Sequence, residues 1–385
     1  MEDRFISVKG KVVSSRIKEA RIARQMTLND LAENLNMTKQ AISQMELGRI
    51  EPLPQNLRKI AEILDFPISF FYKSIIVDKD NSEAIHFRKN SKVPQKLARA
   101  AEIRLDWLYE TYIFLCKYVD FPKTDIPDFL PEIEGINIYN EENIENIAYK
   151  LRKYWGLGEG PIDNLVNILQ KKGVLIGNIK LDNPNIDAYS KWMNGVPVII
   201  LGKDKGSAVR YRFSLAHELG HLILHSHITE EDKIDLETYK RIEEEANLFA
   251  SSFLMPEISF SKGFYSSRLE GFINLKYKWK VSIGAMIIRA RQLNLINENQ
   301  STYLWKKMSY SGYRKSEPLD DEIKVENQIL MKQAIEILIN NKIFTAIDIL
   351  NEISLKKDEI DSLLNLPKDL LENKSNIINL KLKYQ

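Results

Sequence analysis

His217, Glu218 and His221 stand in the spacing H-E-x-x-H inside the run 212–225, whose apolar residues fit a partly buried helix. Residues four apart on a helix lie about 40° from each other around the axis, so His217 and His221 project to one side and can hold one metal ion. Glu218, offset by about 100° from His217, falls beside such an ion rather than on it. That is the place of a general base for an activated water.

A metal site of this kind needs a third ligand. His227 follows His217 at the spacing of the metzincin pattern, but that pattern turns the chain with a glycine where this sequence has Leu224. A helix that continues through Leu224 carries His227 about 15 Å along the axis from His217, out of reach. The run 241–256 offers a better source. Ile242, Ala246, Phe249, Ala250, Phe253 and Leu254 recur at helical spacing, and Pro256 stops the helix. Glu243 and Asn247 share a face, so Glu243 can complete a two-His, one-Glu site with Asn247 hydrogen-bonding behind it. Glu244 and Glu245 read as solvated, although the sequence leaves either open as a ligand.

The run R-x-R-F-x-L-A-H-E-L-G-H, followed by E-x-x-A-N-x-F-A-x-x-x-L-M-P, closely resembles the ImmA/IrrE family of zinc metallopeptidases. The resemblance implies a thermolysin-like, gluzincin-type minimal zincin domain. Its Zn2+ is held by His217, His221 and Glu243, and Glu218 is the catalytic glutamate. Relatives cleave repressor proteins, so the implied substrate is a peptide bond in a partner repressor or in this chain itself. Zinc follows from the donor types, which manganese or iron can also satisfy. Tyr211, Tyr239, Arg210 and His225 are all near enough in sequence to supply an oxyanion donor.

Residues 12–72 read as a set of short helices. Val13, Ile17, Ala20, Ile22 and Ala23 give the first a core face, and Thr27 caps a second carrying Leu28, Leu31, Ala32 and Leu35. Thr38 caps a third, from Lys39 to Met45, that ends near Gly48, and a fourth follows Pro54. The second and third have the short connection and terminal glycine of a helix-turn-helix, whose second helix presents its N-terminal residues to the major groove. The stretch from Thr27 to Pro52 resembles the XRE, phage repressor-like helix-turn-helix. By that resemblance Lys39, Gln40 and Gln44 face base edges of double-stranded operator DNA, with Thr38 and Ser43 near the backbone, while Ala41, Ile42 and Met45 pack inward. Many relatives place a phosphate-binding Gln where this chain has Leu28, which predicts one anchoring contact fewer and a modest affinity.

The chain has 385 residues, net charge +2 and 44% apolar residues, enough for two or three globular domains. With so small a net charge, binding to nucleic acid must come from a local patch. The single Cys116 cannot form an intramolecular disulfide, and its apolar neighbours suggest a buried thiol. The N-terminus lacks a signal-peptide pattern and no apolar run approaches the ~18 residues of a membrane span, so a cytoplasmic protein away from the membrane is expected.

Asp78–Ser82 reads as a linker, His86 as structural, and Gln95–Tyr118 as a long helix or strut whose aromatics belong to core or interface. Ile144–Trp155 and Pro161–Lys172 read as helices. Short apolar runs at 173–179, 188–193 and 196–201 suggest a small sheet, one edge of which can receive substrate backbone. After Pro256 the pattern is helical again, with a helix-turn-helix-like spacing around Ser282 read as packing. Three or four short amphipathic helices follow Glu326.

The expected fold class is mainly α with a small β-sheet, α+β. Its expected domains are a helix-turn-helix domain (8–74), a linker and helical strut (75–140), a zinc metallopeptidase domain (141–300) and a C-terminal helical region without identified chemistry (301–385). The leading function is a DNA-binding regulator, a homodimer on two half-sites, carrying a zinc endopeptidase. One alternative is an antitoxin-like or ligand-sensing DNA-binding regulator whose zinc domain does not turn over. Another is a protease whose N-terminal module recruits protein.

Overall fold

The computed structural model describes residues 10–76, 94–129, 140–180, 188–202, 207–228 and 235–372. The expected linker at 78–82 and His86 lie outside them. Among the described residues the chain is mainly helical, with one three-stranded sheet.

Four helices open the fold: α1 (Ser14–Ala23), α2 (Leu28–Leu35), α3 (Lys39–Glu46) and α4 (Pro54–Leu64), closed by a 3-10 turn at Ile68–Tyr72. Local chemistry sets their ends. The Thr27 hydroxyl accepts from the Asp30 amide while the Asp30 carboxylate accepts from the Thr27 amide, a reciprocal cap that starts α2. Asn36, in the left-handed region at φ 52°, ends α2. Thr38 then caps α3 by accepting from the Ala41 amide.

The long α5 (Gln95–Leu115) lies against α1 on one side and the sheet on the other. Then come α6 (Glu141–Tyr154) and α7 (Leu165–Lys171). The strands β1 (Leu175–Ile179), β2 (Ala188–Met193) and β3 (Val196–Gly202) are ordered β1-β3-β2, with β1 parallel and β2 antiparallel to β3. Helices α8 (Ala208–Leu224), α9 (Leu236–Leu254), α10 (Glu257–Gly263), α11 (Leu269–Trp279), α12 (Ile283–Gln292) and α13 (Glu298–Tyr310) follow. The chain ends in α14 (Leu330–Asn340), α15 (Ala346–Ile353) and α16 (Lys357–Leu364).

Strand alternation makes the sheet a wall between two cores. Leu175, Ile179, Val198 and Ile200 face a core shared with α1–α5 and α14–α16. Ile176, Ile199 and Leu201 face a second core built from α6–α13. The last three helices therefore return to the N-terminal bundle. Polar ties fasten this arrangement. Buried Arg16 on α1 donates to Glu19 and to Glu110 on α5, each at 2.6 Å. Arg24, the C-cap of α1, and Arg104 on α5 both pair with Glu359 on α16.

Four sequence expectations are corrected. The helix expected from Pro161 starts at Leu165, capped by Asn164. The metal-motif helix stops at Leu224 instead of running on to His227, because His225 takes the C-cap and leaves the helical region at φ −120°. Glu245 is buried instead of solvated. Cys116 is exposed, because it is the C-cap of α5 and its side chain leaves the packed face there.

Gly177 on β1 shows how tightly the sheet is clasped. A Cβ there would meet Leu108 of α5 at 2.8 Å and the Leu363 carbonyl of α16 at 3.1 Å. Gly177→Ala should therefore destabilise the fold by about 1–3 kcal/mol through overpacking. An unchanged denaturation midpoint would show that α5 and α16 do not close on β1 this way.

Candidate metal centre and DNA-reading face

Helices α8 and α9 run side by side because small residues face each other where they meet. A Cβ on Gly220 would stand 3.3 Å from the Ala246 backbone and 3.1 Å from the Phe249 ring. Arg152 of α6 secures the far end of α9 by donating to the Phe253 carbonyl at 2.6 Å. This close approach brings His217 and His221 of α8 to Glu243 of α9.

The His217 and His221 Nε2 atoms are 3.0 Å apart, and Glu243 reaches them at 3.4 and 3.6 Å. Donors at about 2.0–2.1 Å from a tetrahedral zinc ion lie roughly 3.3 Å from one another, so this spacing suits such an ion. The residues behind the donors also fit. His217 Nδ1 lies 3.1 Å from Asn247 Oδ1 and His221 Nδ1 lies 3.0 Å from His225 Nδ1. With hydrogen on each of those Nδ1 atoms, both Nε2 lone pairs point to the centre. His225, now accepting at Nδ1, carries its hydrogen on Nε2 and donates to Glu245 at 2.9 Å.

Electrostatics set the protonation states. Burial works against charge on His217, but the Glu243 hydrogen bond and the Glu218 and Glu243 charges raise it above the usual histidine range. Burial, with His217 and His225 nearby, pushes His221 well below that range and leaves it neutral, as a ligand must be. Burial favours a neutral Glu243, yet the His217 hydrogen bond, the neighbouring imidazoles and the Tyr239 hydroxyl hold it below the usual carboxylate range. Burial also lowers His225 well below the usual histidine range, with His227, His217 and Arg241 adding to it. Burial raises Glu245 to about 7 against the pull of Arg241 and His227.

Glu218 does not join the three donors. It is buried, and its Oε2 accepts from the Ser190 hydroxyl at 2.6 Å. Ser190 lies on β2, an edge strand, and Trp192 of the same strand donates to the Leu222 carbonyl of α8 at 2.8 Å. The edge that the sequence left open is thus the one lying along the metal helix. Of the four candidate oxyanion donors, Tyr239 reaches this site through its hydrogen bond to Glu243. Tyr211 donates to Asn178, Arg210 to the Arg314 carbonyl, and His225 stands behind His221. His227 is exposed and is not among the converging donors. A recess of 830 Å³ opens beside the centre, bordered by Asn247, Glu245, Arg241, Ser214, Arg210 and Trp305.

By sequence His225 is a candidate oxyanion donor and Glu245 a solvated acid, so neither is expected to support the metal site. The signal was present: His217, His221 and His225 follow one another at four-residue steps, placing all three on one helix face.

On α3, Thr38, Lys39 and Gln40 are exposed and Ser43 and Gln44 half-buried, while Ile42 and Met45 are buried and Ala41 is partly so. Arg21 of α1 grips Glu46 with hydrogen bonds of 2.6 and 2.8 Å, which fixes α3 against α1. The polar face of α3 is left open.

Residues 17–71 match the family model described as helix-turn-helix, and residues 169–291 match that of the IrrE N-terminal-like domain, Peptidase_M78. No curated protein matches the chain. One solved structure with some likeness is ComR from S. thermophilus in complex with DNA and its signalling peptide ComS. It covers 80% of this chain and 96% of its own at 12% identity, with a TM-score of 0.15, too low to relate the folds.

If His225 and Glu245 hold His221 in its ligating orientation, His225→Ala and Glu245→Gln should each weaken metal affinity about 10–100-fold. Chelator competition measures this. Unchanged affinity would mean that His221 needs no such support.

Proposed function

Because the chain joins an XRE-type helix-turn-helix domain to an ImmA/IrrE-type metallopeptidase-like domain, we propose that it is a DNA-binding transcriptional regulator with a zinc endopeptidase site. That site hydrolyses a peptide bond in a partner repressor or in this chain itself. The observation that carries the reading is the buried Glu218 held against edge strand β2, beside His217, His221 and Glu243 but outside their set. A structural metal site has no use for such a carboxylate.

His217, His221 and Glu243 would hold the ion. When bound, zinc supplies a Lewis acid that acidifies water and polarises a carbonyl. As water attacks the scissile carbonyl carbon, Glu218 takes its proton and delivers it to the departing nitrogen when the C–N bond breaks. Ser190 fixes the Glu218 carboxylate, and the Tyr239 hydroxyl is the donor placed to steady negative charge on the former carbonyl oxygen. The outer edge of β2 would supply backbone groups for an extended substrate.

At the other end of the chain, Lys39, Gln40 and Gln44 read bases, with Thr38 and Ser43 against the backbone. We take 8–74 as the DNA-binding unit, 75–140 as linker and strut, 141–300 as the peptidase unit and 301–385 as the C-terminal region. The protein works in the cytoplasm as a homodimer. No described helix is long and apolar enough to cross a membrane.

The 830 Å³ recess favours one further reading, a ligand-sensing regulator in which that space takes an effector and the metal site does not turn over. Wild type and Glu218→Gln, matched for zinc, separate the two when incubated with repressors encoded nearby. Cleavage by wild type and its loss in the variant is the expected outcome. Equal zinc with no cleavage by either would favour the sensor. On DNA, Gln40→Ala or Gln44→Ala should cost about 1–3 kcal/mol of discrimination at one base position, read by competition between operator variants. Unaltered preferences would remove these residues from the reading face.

A further inference from the structure

A cavity of 540 Å³ lies between the start of α2 and the first turns of α5, and Lys39, at the start of α3, also borders it. Its other polar walls include Thr27, Asn29, Gln95, Lys96 and Arg99. Lys39, Lys96 and Arg99 are exposed, and none of the three forms an ion pair among the described residues. Two of these basic residues therefore come from α5, outside the helix-turn-helix, yet share a wall with its reading helix.

Charge on the neighbouring residues is largely compensated. Arg21, which also borders the cavity, is neutralised by Glu46 through two hydrogen bonds. The Asp30 carboxylate of α2 is held below the usual range by the Thr27 backbone and hydroxyl, with positive charge on Lys96 adding to the effect. Its Oδ2 accepts from the Thr27 amide in the α2 cap. What remains is a concave, water-facing site with three cations that form no ion pair among the described residues. Ile22, Met26 and Leu28 add an apolar wall, and Lys39 makes the cavity continuous with the face that α3 offers to DNA.

We infer that this cavity seats a backbone phosphate of the same duplex whose bases face α3, with Lys96 and Arg99 of α5 as its anchors. The inference rests on the DNA-binding reading above. Contacts of this kind position the protein and carry no sequence information, so they set affinity and salt dependence and leave discrimination unchanged. They also give α5 a part in DNA binding. The helix that packs between α1 and the sheet would touch the duplex directly.

The test is a salt titration of binding to a mixed-sequence duplex about three helical turns long, read by fluorescence anisotropy. It compares wild type, the double variant Lys96→Ala/Arg99→Ala, and a control, Lys306→Ala/Lys315→Ala, that loses the same charge on the metal side. Both altered pairs are exposed, and equal metal content checks that each variant is folded. The expected result is a slope of log affinity against log salt shallower by about 1–2 in the first variant alone, with relative preference among sequences intact. Lys96→Arg/Arg99→Lys should restore most of the slope.

A double variant with the wild-type slope would overturn the anchor and leave DNA binding by α3 standing. So would a slope that falls equally in the control, since net charge would then explain it. If the double variant keeps the wild-type slope but loses binding of inorganic phosphate alone, the cavity serves a free anion and the duplex contact is overturned. Wild-type protein that binds no duplex at low salt would overturn the DNA-binding reading itself, and the anchor with it.

Discussion

Two helices can share one ion only if an imidazole on one and a carboxylate on the other reach the same point, and this depends on how closely α8 and α9 pack. Gly220 against Ala246 permits that approach, with the added Cβ contacts already at 3.1–3.3 Å. A larger side chain at Gly220 would press directly on the α9 backbone, since ridges that meet at small residues have no slack to give. The same closeness seats Asn247 behind His217 and the His225–Glu245 pair behind His221. Both histidines are therefore oriented by the seam that brings them together.

The seam is joined to the other end of the molecule through polar contacts at the start of α8. Tyr211 bonds to Asn178 of β1, and Arg212 bonds to Glu326 and to the Ile162 carbonyl. Glu326 also accepts from the Val166 amide of α7. The segment that leads into α14 is thereby fastened to the metal helix, and α14–α16 continue into the core that carries the helix-turn-helix. Buried ion pairs such as Arg16 with Glu19 and Glu110 contribute little net stability, because desolvation offsets their attraction. Removing one partner leaves a buried charge unmatched, so such pairs favour one relative placement of α1 and α5 over others. The sheet completes the connection by giving one face to each core.

Much of this was legible because it is local. The caps at Thr27 and Thr38, the apolar spacing of α8 and α9 and the three strands all follow from residues within one or two turns of each other. The His217, His221 and Glu243 grouping required one long-range inference, and the ligand types supplied it. What escaped depends on neighbours distant in sequence or on where a helix ends. Glu245 looks like one of three solvated acids until α8 is laid beside it. Cys116 has an apolar setting in sequence, but it falls at the point where α5 leaves the core. The stop at Leu224 had no glycine to announce it. The return of α14–α16 to the N-terminal bundle has no marker in their sequence beyond amphipathic spacing.

The central claim is that α8 and α9 build one metal centre from two imidazoles and one carboxylate. Elemental analysis joined to X-ray absorption at the zinc edge tests it most directly, on wild type and on His217→Ala/His221→Ala. The expected result is one zinc per wild-type chain, coordinated by two imidazole nitrogens with oxygen completing the set, and loss of the metal from the variant. Wild-type protein that takes up no metal, or a variant that keeps full zinc with unchanged coordination, would contradict it.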